Sequence, residues 1–163
     1  MKATSTDKKT FQLTSNGQPL GELIYENLFF FKAEIKLQNS EHYEIEPVGL
    51  FNTSINVTRN DVAIASLVMN WRGQIVFTFQ DGQEFVLKLN GLFNDSYITE
   101  NREGENLIQL EPKFNWREFN YNYEISYGVT YEKNPQDILL LLLGVYAANY
   151  FIACMSGANA GLI

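Results

Sequence analysis

Hydrophobic and polar residues alternate along short segments between residues 11 and 131, and turn residues separate these segments. In segment 29–37, Phe29 and every second residue after it are apolar, while Lys32, Glu34 and Lys36 lie between them. Segment 121–127 shows the same period of two. A strand places alternate side chains on opposite faces, whereas a helix would mix the two sets. Residues 11–131 are therefore predicted to form short β-strands.

Three dipeptides mark tight turns between the predicted strands. Asn16-Gly17, Arg72-Gly73 and Asp81-Gly82 each lie between two apolar segments. Asn, Asp and Gly accept the positive φ angles that short hairpin turns need. The spacing of the last two turns predicts three consecutive antiparallel strands over residues 64–89.

A six-residue segment occurs twice. Gly49–Ser54 returns 42 positions later as Gly91–Ser96, with five of six residues identical. A polar turn, an apolar strand and a large aromatic residue (Trp71 or Phe114) follow each copy. Repeats of this period also occur in propellers and solenoids, but two copies are too few for either fold. The repeat therefore favours a quasi-symmetric barrel or sandwich.

The last third of the chain predicts one long helix. Asn134-Pro135 is a typical helix start, followed by Asp137 in the first turn. The segment Ile138–Met155 contains one strongly polar residue, Asn149, and Ser156-Gly157 provides a stop. The predicted helix spans residues 135–155. Because it is apolar on every face, it must be buried on every side, either in a bilayer or inside the protein.

Several observations bear on that choice. The length just meets the requirement for a membrane span, and Gly144 and Ala148 have the spacing of a membrane dimerisation pair. Against the bilayer, Tyr146, Asn149 and Tyr150 share one face, and Lys133 is the only basic residue nearby. A small barrel needs a filling for its interior. We therefore predict a helix inside the barrel, with the Tyr hydroxyls and Asn149 bonded to the inner wall.

The composition fits one domain without obvious chemistry. The chain has 163 residues, a length that suits one domain. We assign residues 11–163 to a single barrel domain and residues 1–10 to a flexible N-terminal tail. Its formal net charge of −7 disfavours nucleic acid as a partner. With one His and one Cys, an internal disulfide is impossible and a structural Cys/His zinc site is not expected. The polar start lacks a signal-peptide pattern, which predicts a cytoplasmic protein.

The organisation of the chain resembles the tubby C-terminal-like superfamily, which includes tubby-like proteins, phospholipid scramblases and LURP-one-related proteins. The resemblance covers residues 11–155 and rests on the Gly-Leu-Phe-Asn repeat, on the turn–strand–Trp pattern at Trp71 and Trp116, and on the apolar helix. It implies a mainly β fold: a closed antiparallel barrel of about twelve strands around the C-terminal helix. The chain is most similar to small bacterial members, for which no activity is implied. Tubby proteins bind phosphoinositides through basic residues outside the barrel, and no position here matches that motif.

Candidate catalytic and metal-binding residues are few. His42 lies beside Glu41 and Glu44, but the chain has no Gly-x-Ser-x-Gly motif, so we interpret His42 as an exposed strand residue. Glu44 and Glu46 share a strand face, and Cys154 lies within the apolar helix. A loose acidic cluster, too sparse for a calcium loop, comprises Asp95, Glu100, Glu103 and Glu105. We assign no catalytic, cofactor-binding or metal-binding residue, expect no cofactor, and leave the ligand-binding residues open.

Three hypotheses for function follow. The first is a soluble, monomeric, non-catalytic barrel that binds a lipid, a membrane surface or a protein partner. The second is a tail-anchored membrane protein with a cytosolic β domain, and the third is an enzyme.

The aromatic residues of one crowded segment are interpreted mainly as wall packing, with a ligand platform as the alternative; they are Trp116, Phe119, Tyr121 and Tyr123.

Overall fold

The computed structural model of the chain describes residues 1–29, 31–49, 54–91, 96–128 and 137–156. These residues form a closed antiparallel β-barrel of twelve strands and one C-terminal helix. The strands are β1 (Lys2–Ser5), β2 (Thr10–Ser15), β3 (Gln18–Asn27), β4 (Lys32–Leu37), β5 (His42–Val48), β6 (Ser54–Arg59), β7 (Val62–Met69), β8 (Ile75–Phe79), β9 (Glu84–Leu89), β10 (Tyr97–Asn101), β11 (Asn106–Asn115) and β12 (Asn120–Tyr127). The helix is α1 (Asp137–Met155).

Each strand pairs with the strands that precede and follow it in the sequence, and β1 pairs with β12 to close the ring. The prediction of a closed antiparallel barrel is confirmed, and so is the meander of β7, β8 and β9 over residues 62–89. At the first turn, Asn16 and Gly17 both have positive φ angles (51° and 79°), as a two-residue hairpin requires. The alternation of the sequence appears as alternating buried and exposed side chains along most strands.

The N-terminal segment belongs to the barrel. Lys2 pairs with Glu124 and Ala3 with Tyr123, and the amide of Ile125 donates to the carbonyl of Met1 at 2.9 Å. The prediction of a flexible tail over residues 1–10 is therefore wrong, since β1 closes the ring and β2 already begins at Thr10. The physical reason is size: Ala3 and Ser5 fill the inner face with very small side chains, so no hydrophobic alternation marks the strand.

The helix α1 lies inside the barrel. Leu140, Val145 and Phe151 are all buried, and so are the consecutive residues Leu141, Leu142 and Leu143, which point in different directions around the helix axis. By length and composition α1 could cross a membrane, yet 67% of the 18-residue window that meets this test is buried in the protein. The observed bounds agree with the predicted span of residues 135–155, while the predicted start at Asn134-Pro135 lies outside the described residues.

The helix passes very close to β3 at Gly21. A Cβ atom at this position would lie 2.9 Å from the carbonyl oxygen of Lys36 and 3.1 Å from Cδ1 of Leu142. Both distances are shorter than van der Waals contact, so only glycine fits between β4 and α1 here. Gly144 of α1 faces Leu110 of the wall. The glycine of the Gly144/Ala148 pair therefore allows close packing inside the barrel.

The polar groups of α1 are bonded to the wall. The hydroxyl of Tyr146 donates to the carbonyl oxygen of Phe31 at 2.8 Å. Asn149 accepts from the hydroxyl of Tyr123 at 2.6 Å and donates to the hydroxyl oxygen of Tyr25 at 3.1 Å. The prediction that the polar groups of the helix find partners on the inner wall is confirmed for Tyr146 and Asn149, whereas Tyr150 interacts with Cys154 of α1 itself. These bonds remove the cost of burying unpaired polar groups.

The two ends of the barrel are distinct. Because neighbouring strands are antiparallel, the connections that follow odd-numbered strands share one end, here named the upper end, and those that follow even-numbered strands share the lower end. Leu142 of α1 lies near Gly21, in the lower half of β3, whereas Tyr146 reaches Phe31 at the upper end. The helix therefore enters from the lower end and finishes at the upper end, where Met155 is 72% exposed.

Candidate functional site

The residues with candidate chemistry lie on the outer wall. His42 is exposed on β5, as expected, and its Nε2 lies 2.8 Å from Oε2 of Glu34, while Nζ of Lys36 lies 2.6 Å from Oε1 of the same carboxylate. Partial burial raises the pKa of Glu34, but the hydrogen bonds from Lys36 and His42 outweigh it and lower the pKa overall. Glu34 is thus a charged member of a surface ladder. Glu44 and Glu46 point outward from β5 as well.

The acidic cluster and the cysteine do not assemble into a site. Glu100 pairs with Lys88 at 2.8 Å, and Glu105 accepts from the side-chain amide of Asn101 at 2.7 Å. Asp95 lies outside the described residues. Among the residues that are described, no three His, Cys, Asp or Glu side chains are placed to share a metal ion. Cys154 is half-buried in the last turn of α1, in contact with Tyr150.

The upper end carries most of the exposed hydrophobic surface. Eleven large apolar side chains are exposed in the described part of the chain, and ten of them lie on upper connections, at upper strand ends or at the end of α1. Val62 is the exception at the lower end. The ten are Leu28, Phe29, Val48, Val68, Trp71, Leu89, Phe114, Trp116, Phe119 and Met155.

The most exposed of these side chains are tryptophans held at the tips of turns. Trp71 is 88% exposed, between β7 and β8, and the guanidinium carbon of Arg72 lies 5.0 Å from the centre of its ring. Trp116 is 76% exposed, between β11 and β12, and its ring packs edge-on against Phe114 at 4.8 Å. Trp116 and Phe119 therefore do not pack in the wall, which corrects that interpretation, whereas Tyr123 is fully buried beneath them.

The turns themselves do not require aromatic residues. At the upper end, an asparagine accepts a hydrogen bond from the amide two residues later, in the pairs Asn27–Phe29, Asn70–Arg72 and Asn115–Arg117, at 2.9, 2.9 and 3.1 Å. The lower end uses the same turn in the pairs Asn39–Glu41, Asp81–Gln83 and Asn101–Glu103. The residue after the asparagine is Leu28, Trp71 or Trp116 above, and a fourth upper turn of this kind, Asp7–Lys9, has Lys8 there; the corresponding residue is Ser40, Gly82 or Arg102 below. Identical local geometry thus carries apolar tips at one end only.

Three of these tips are evenly spaced around the barrel. They belong to the β3–β4, β7–β8 and β11–β12 connections, which are four strands apart in a ring of twelve. Two of the connections between them contain the repeated Gly-Leu-Phe-Asn segment, of which Leu50–Thr53 and Leu92–Asp95 lie outside the described residues. Three well-separated tips at one end define a plane, so a flat partner contacts all of them together.

Charge separates along the same axis. The described residues of the upper connections contain four cations and two carboxylates, whereas those of the lower connections contain one cation and five carboxylates. The upper charges are Lys8, Lys9, Arg72 and Arg117 against Asp7 and Glu118. The apolar end is therefore also the more positive end of a protein with a net charge of −7.

Sequence reasoning missed this surface because its residues are spread from position 28 to position 155. The available signal was the alternation of the connections along the chain: once the strands are numbered, five of the six upper connections contain an aromatic residue in the sequence, the exception being residues 6–9, and none of the lower hairpin connections does. Comparison with protein-family models, with curated proteins and with solved structures finds no match. The geometry of the upper end is thus the observation on which a function can be argued.

Proposed function

We propose that this protein is a non-catalytic module that binds a membrane surface peripherally, with its upper end facing the lipid. The observation that carries this proposal is the placement of Trp71 and Trp116 at the tips of two upper turns, in a set of exposed apolar side chains that is nearly absent from the described lower end. Large exposed apolar side chains gathered at one end of a molecule mark an interaction site.

A membrane fits this surface better than a compact partner does. Tryptophan is enriched at the membrane–water interface, where its ring is buried and its N–H stays hydrated. The tips are far apart around the ring, and a bilayer meets them all at once without a matching shape. The cations beside the tips, such as Arg72 next to Trp71, suit the phosphates of the headgroups.

The contacts of α1 argue for peripheral binding over a tail anchor. Inserting α1 into a bilayer would remove it from the barrel, break the hydrogen bonds of Tyr146 and Asn149, and expose wall residues such as Phe11 and Phe77 that are now fully buried. Those costs exceed any gain, because the helix is already in an apolar environment.

We also propose that the chain is a member of the tubby C-terminal-like superfamily and acts as a cytoplasmic monomer. A closed antiparallel barrel threaded by an apolar C-terminal helix supports this membership, since that is the architecture which the resemblance implies. His42, Glu44 and Glu46 point outward from β5, and the proposal gives them no catalytic role.

Vesicle flotation tests the function. We expect the wild type to float with vesicles of phosphatidylcholine and phosphatidylglycerol, and the variant Trp71→Ala/Trp116→Ala to remain in solution. Burying one large apolar side chain contributes about 1.5–3 kcal/mol, so each tryptophan should change the affinity by tenfold or more.

The matched control adds a tryptophan at the lower end of the barrel. Val62 is 56% exposed at the start of β7, so Val62→Trp should fold normally, yet it should not restore flotation when combined with the two alanine substitutions. A wild type that stays in solution with vesicles, or an alanine variant that floats as well as the wild type, would overturn the proposal. In the first case the upper end would be a protein-docking surface.

A further inference from the structure

Resting on the proposed function, we infer that the upper end selects anionic phospholipid over neutral lipid, through Lys8, Lys9 and Arg72. Among the described residues, these three are the only Lys or Arg side chains without a carboxylate within 4 Å, and all three lie at the upper end. The paired cations are Lys2, Lys32, Lys36, Arg59, Lys88, Arg102, Lys113 and Arg117.

The lack of pairing is informative because carboxylates are abundant. The chain has 19 Asp and Glu residues against 12 Lys and Arg, so a cation on this barrel readily finds a partner. Asp7, which precedes Lys8, accepts instead from the amides of Lys9 and Thr10, at 2.7 and 2.8 Å. Its carboxylate thus shapes the turn, while the ammonium group of Lys8 projects from it without a carboxylate within 4 Å.

Two of these cations, Arg72 and Lys8, lie at or beside the tryptophan turns, while Nζ of Lys9 donates to the carbonyl oxygen of Glu26 at 3.1 Å. The guanidinium of Arg72 is 5.0 Å from the ring centre of Trp71. The side-chain amide of Asn120, which follows the Trp116 turn, donates to the carbonyl of Lys8 at 3.4 Å. When the two rings enter the interface, the adjacent cations are brought to the level of the lipid phosphates.

The opposite end strengthens this preference. Its described connections contain Glu41, Asp61, Asp81, Glu103 and Glu105. An anionic surface repels that end and attracts the upper end, so the field of the protein orients it before contact. Neutral lipid offers the apolar interaction alone.

The experiment compares two lipid compositions. We expect the wild type to bind vesicles of phosphatidylcholine and phosphatidylglycerol in equal parts much more tightly than vesicles of phosphatidylcholine alone. Each cation near an anionic surface contributes about fivefold in affinity, so Lys8→Gln/Arg72→Gln should bind the mixed vesicles about 25-fold more weakly. Its binding to phosphatidylcholine should be unchanged, and the preference of the wild type should shrink at high salt.

The matched control is Lys2→Gln/Arg102→Gln, which also removes one Lys and one Arg. Both residues are well exposed, lie toward the lower end and are paired with Glu124 and Glu84, so this variant should bind the mixed vesicles like the wild type. Equal binding of the wild type to both lipids, or equal losses in both variants, would overturn the selectivity and leave the tryptophan-driven binding standing. Absence of binding to either vesicle would overturn both.

Discussion

The hydroxyl of Tyr123 on β12 donates a 2.6 Å hydrogen bond to the side-chain oxygen of Asn149 on α1. The amide nitrogen of the same Asn149 donates to the hydroxyl of Tyr25 on β3, 3.1 Å away. One helix residue therefore connects strands from two parts of the ring. Together with the hydrogen bond from Tyr146 to the carbonyl of Phe31, this bridge fixes the rotation and the depth of α1 in a lumen lined mainly by non-directional apolar contacts.

Breaking the bridge should destabilise the barrel. We expect Asn149→Leu to lower the free energy of unfolding by about 2–4 kcal/mol, because the buried hydroxyls of Tyr123 and Tyr25 lose their partner. Urea denaturation measures this change. Tyr123→Phe should cost less in the Asn149→Leu background than in the wild type, since the hydrogen bond is then already lost. Additive effects of the two substitutions would contradict the bridge.

A charge in the centre of the lumen should unfold the domain. Leu141 is fully buried in α1, and Leu141→Asp places an unpaired carboxylate there at a cost of several kcal/mol. Thermal denaturation followed by circular dichroism should show no cooperative transition. Met155→Asp, on the exposed end of the same helix, is the control and should melt like the wild type. A normal melting temperature for Leu141→Asp would show that α1 does not fill the barrel.

Closure of the ring should depend on β1. Ala3 is fully buried between Tyr123 of β12 and Leu13 of β2, so Ala3→Asp should destabilise the protein by several kcal/mol. Lys2→Gln, one residue away on the outer face, should change the free energy of unfolding by less than about 0.5 kcal/mol. If both variants unfold at the urea concentration of the wild type, the N-terminal segment is not part of the barrel.

Alkaline pH should destabilise the protein through its buried tyrosines. Burial raises the pKa of Tyr25, Tyr123 and Tyr146, while the unfolded chain ionises near pH 10. The stability is complete below that pH and falls above it, because the unfolded state then releases protons that the folded state retains. Each tyrosine adds about 1.4 kcal/mol of loss per pH unit. Urea denaturation across this range should show a shallower decline for Tyr146→Phe, and a flat profile would contradict the burial.

Most of the fold could be predicted from the sequence. Alternation over segments such as 29–37 predicts the strands, and the absence of an apolar stripe on 138–155 predicts a helix buried on all sides. Tyr146 and Asn149 favoured burial in a barrel over burial in a bilayer. Their hydrogen-bonding groups need partners, which a barrel wall provides. Strand β1 was missed because it has only four residues, and the one apolar side chain among them, that of Ala3, is too small to produce a visible alternation of hydrophobic and polar positions.

The binding surface was not visible in the same way. Trp71 and Trp116 are 45 positions apart, and nothing local distinguishes their turns from those at Asn39 or Asn101. Only the parity of the connections and the closure of the ring bring them to one end. A surface made of isolated tips from many turns has no sequence motif, since each tip is an ordinary turn with one unusual residue.

The two tryptophans provide the most direct measurement. They are the only tryptophans in the chain, and both lie at the upper end. On titration with vesicles of phosphatidylcholine and phosphatidylglycerol, the account predicts that their fluorescence shifts to the blue, resists quenching by aqueous acrylamide and is quenched by brominated lipid, in Trp71→Phe and in Trp116→Phe alike. An emission spectrum that stays that of water-exposed indole, with full access to acrylamide at saturating lipid, would contradict it.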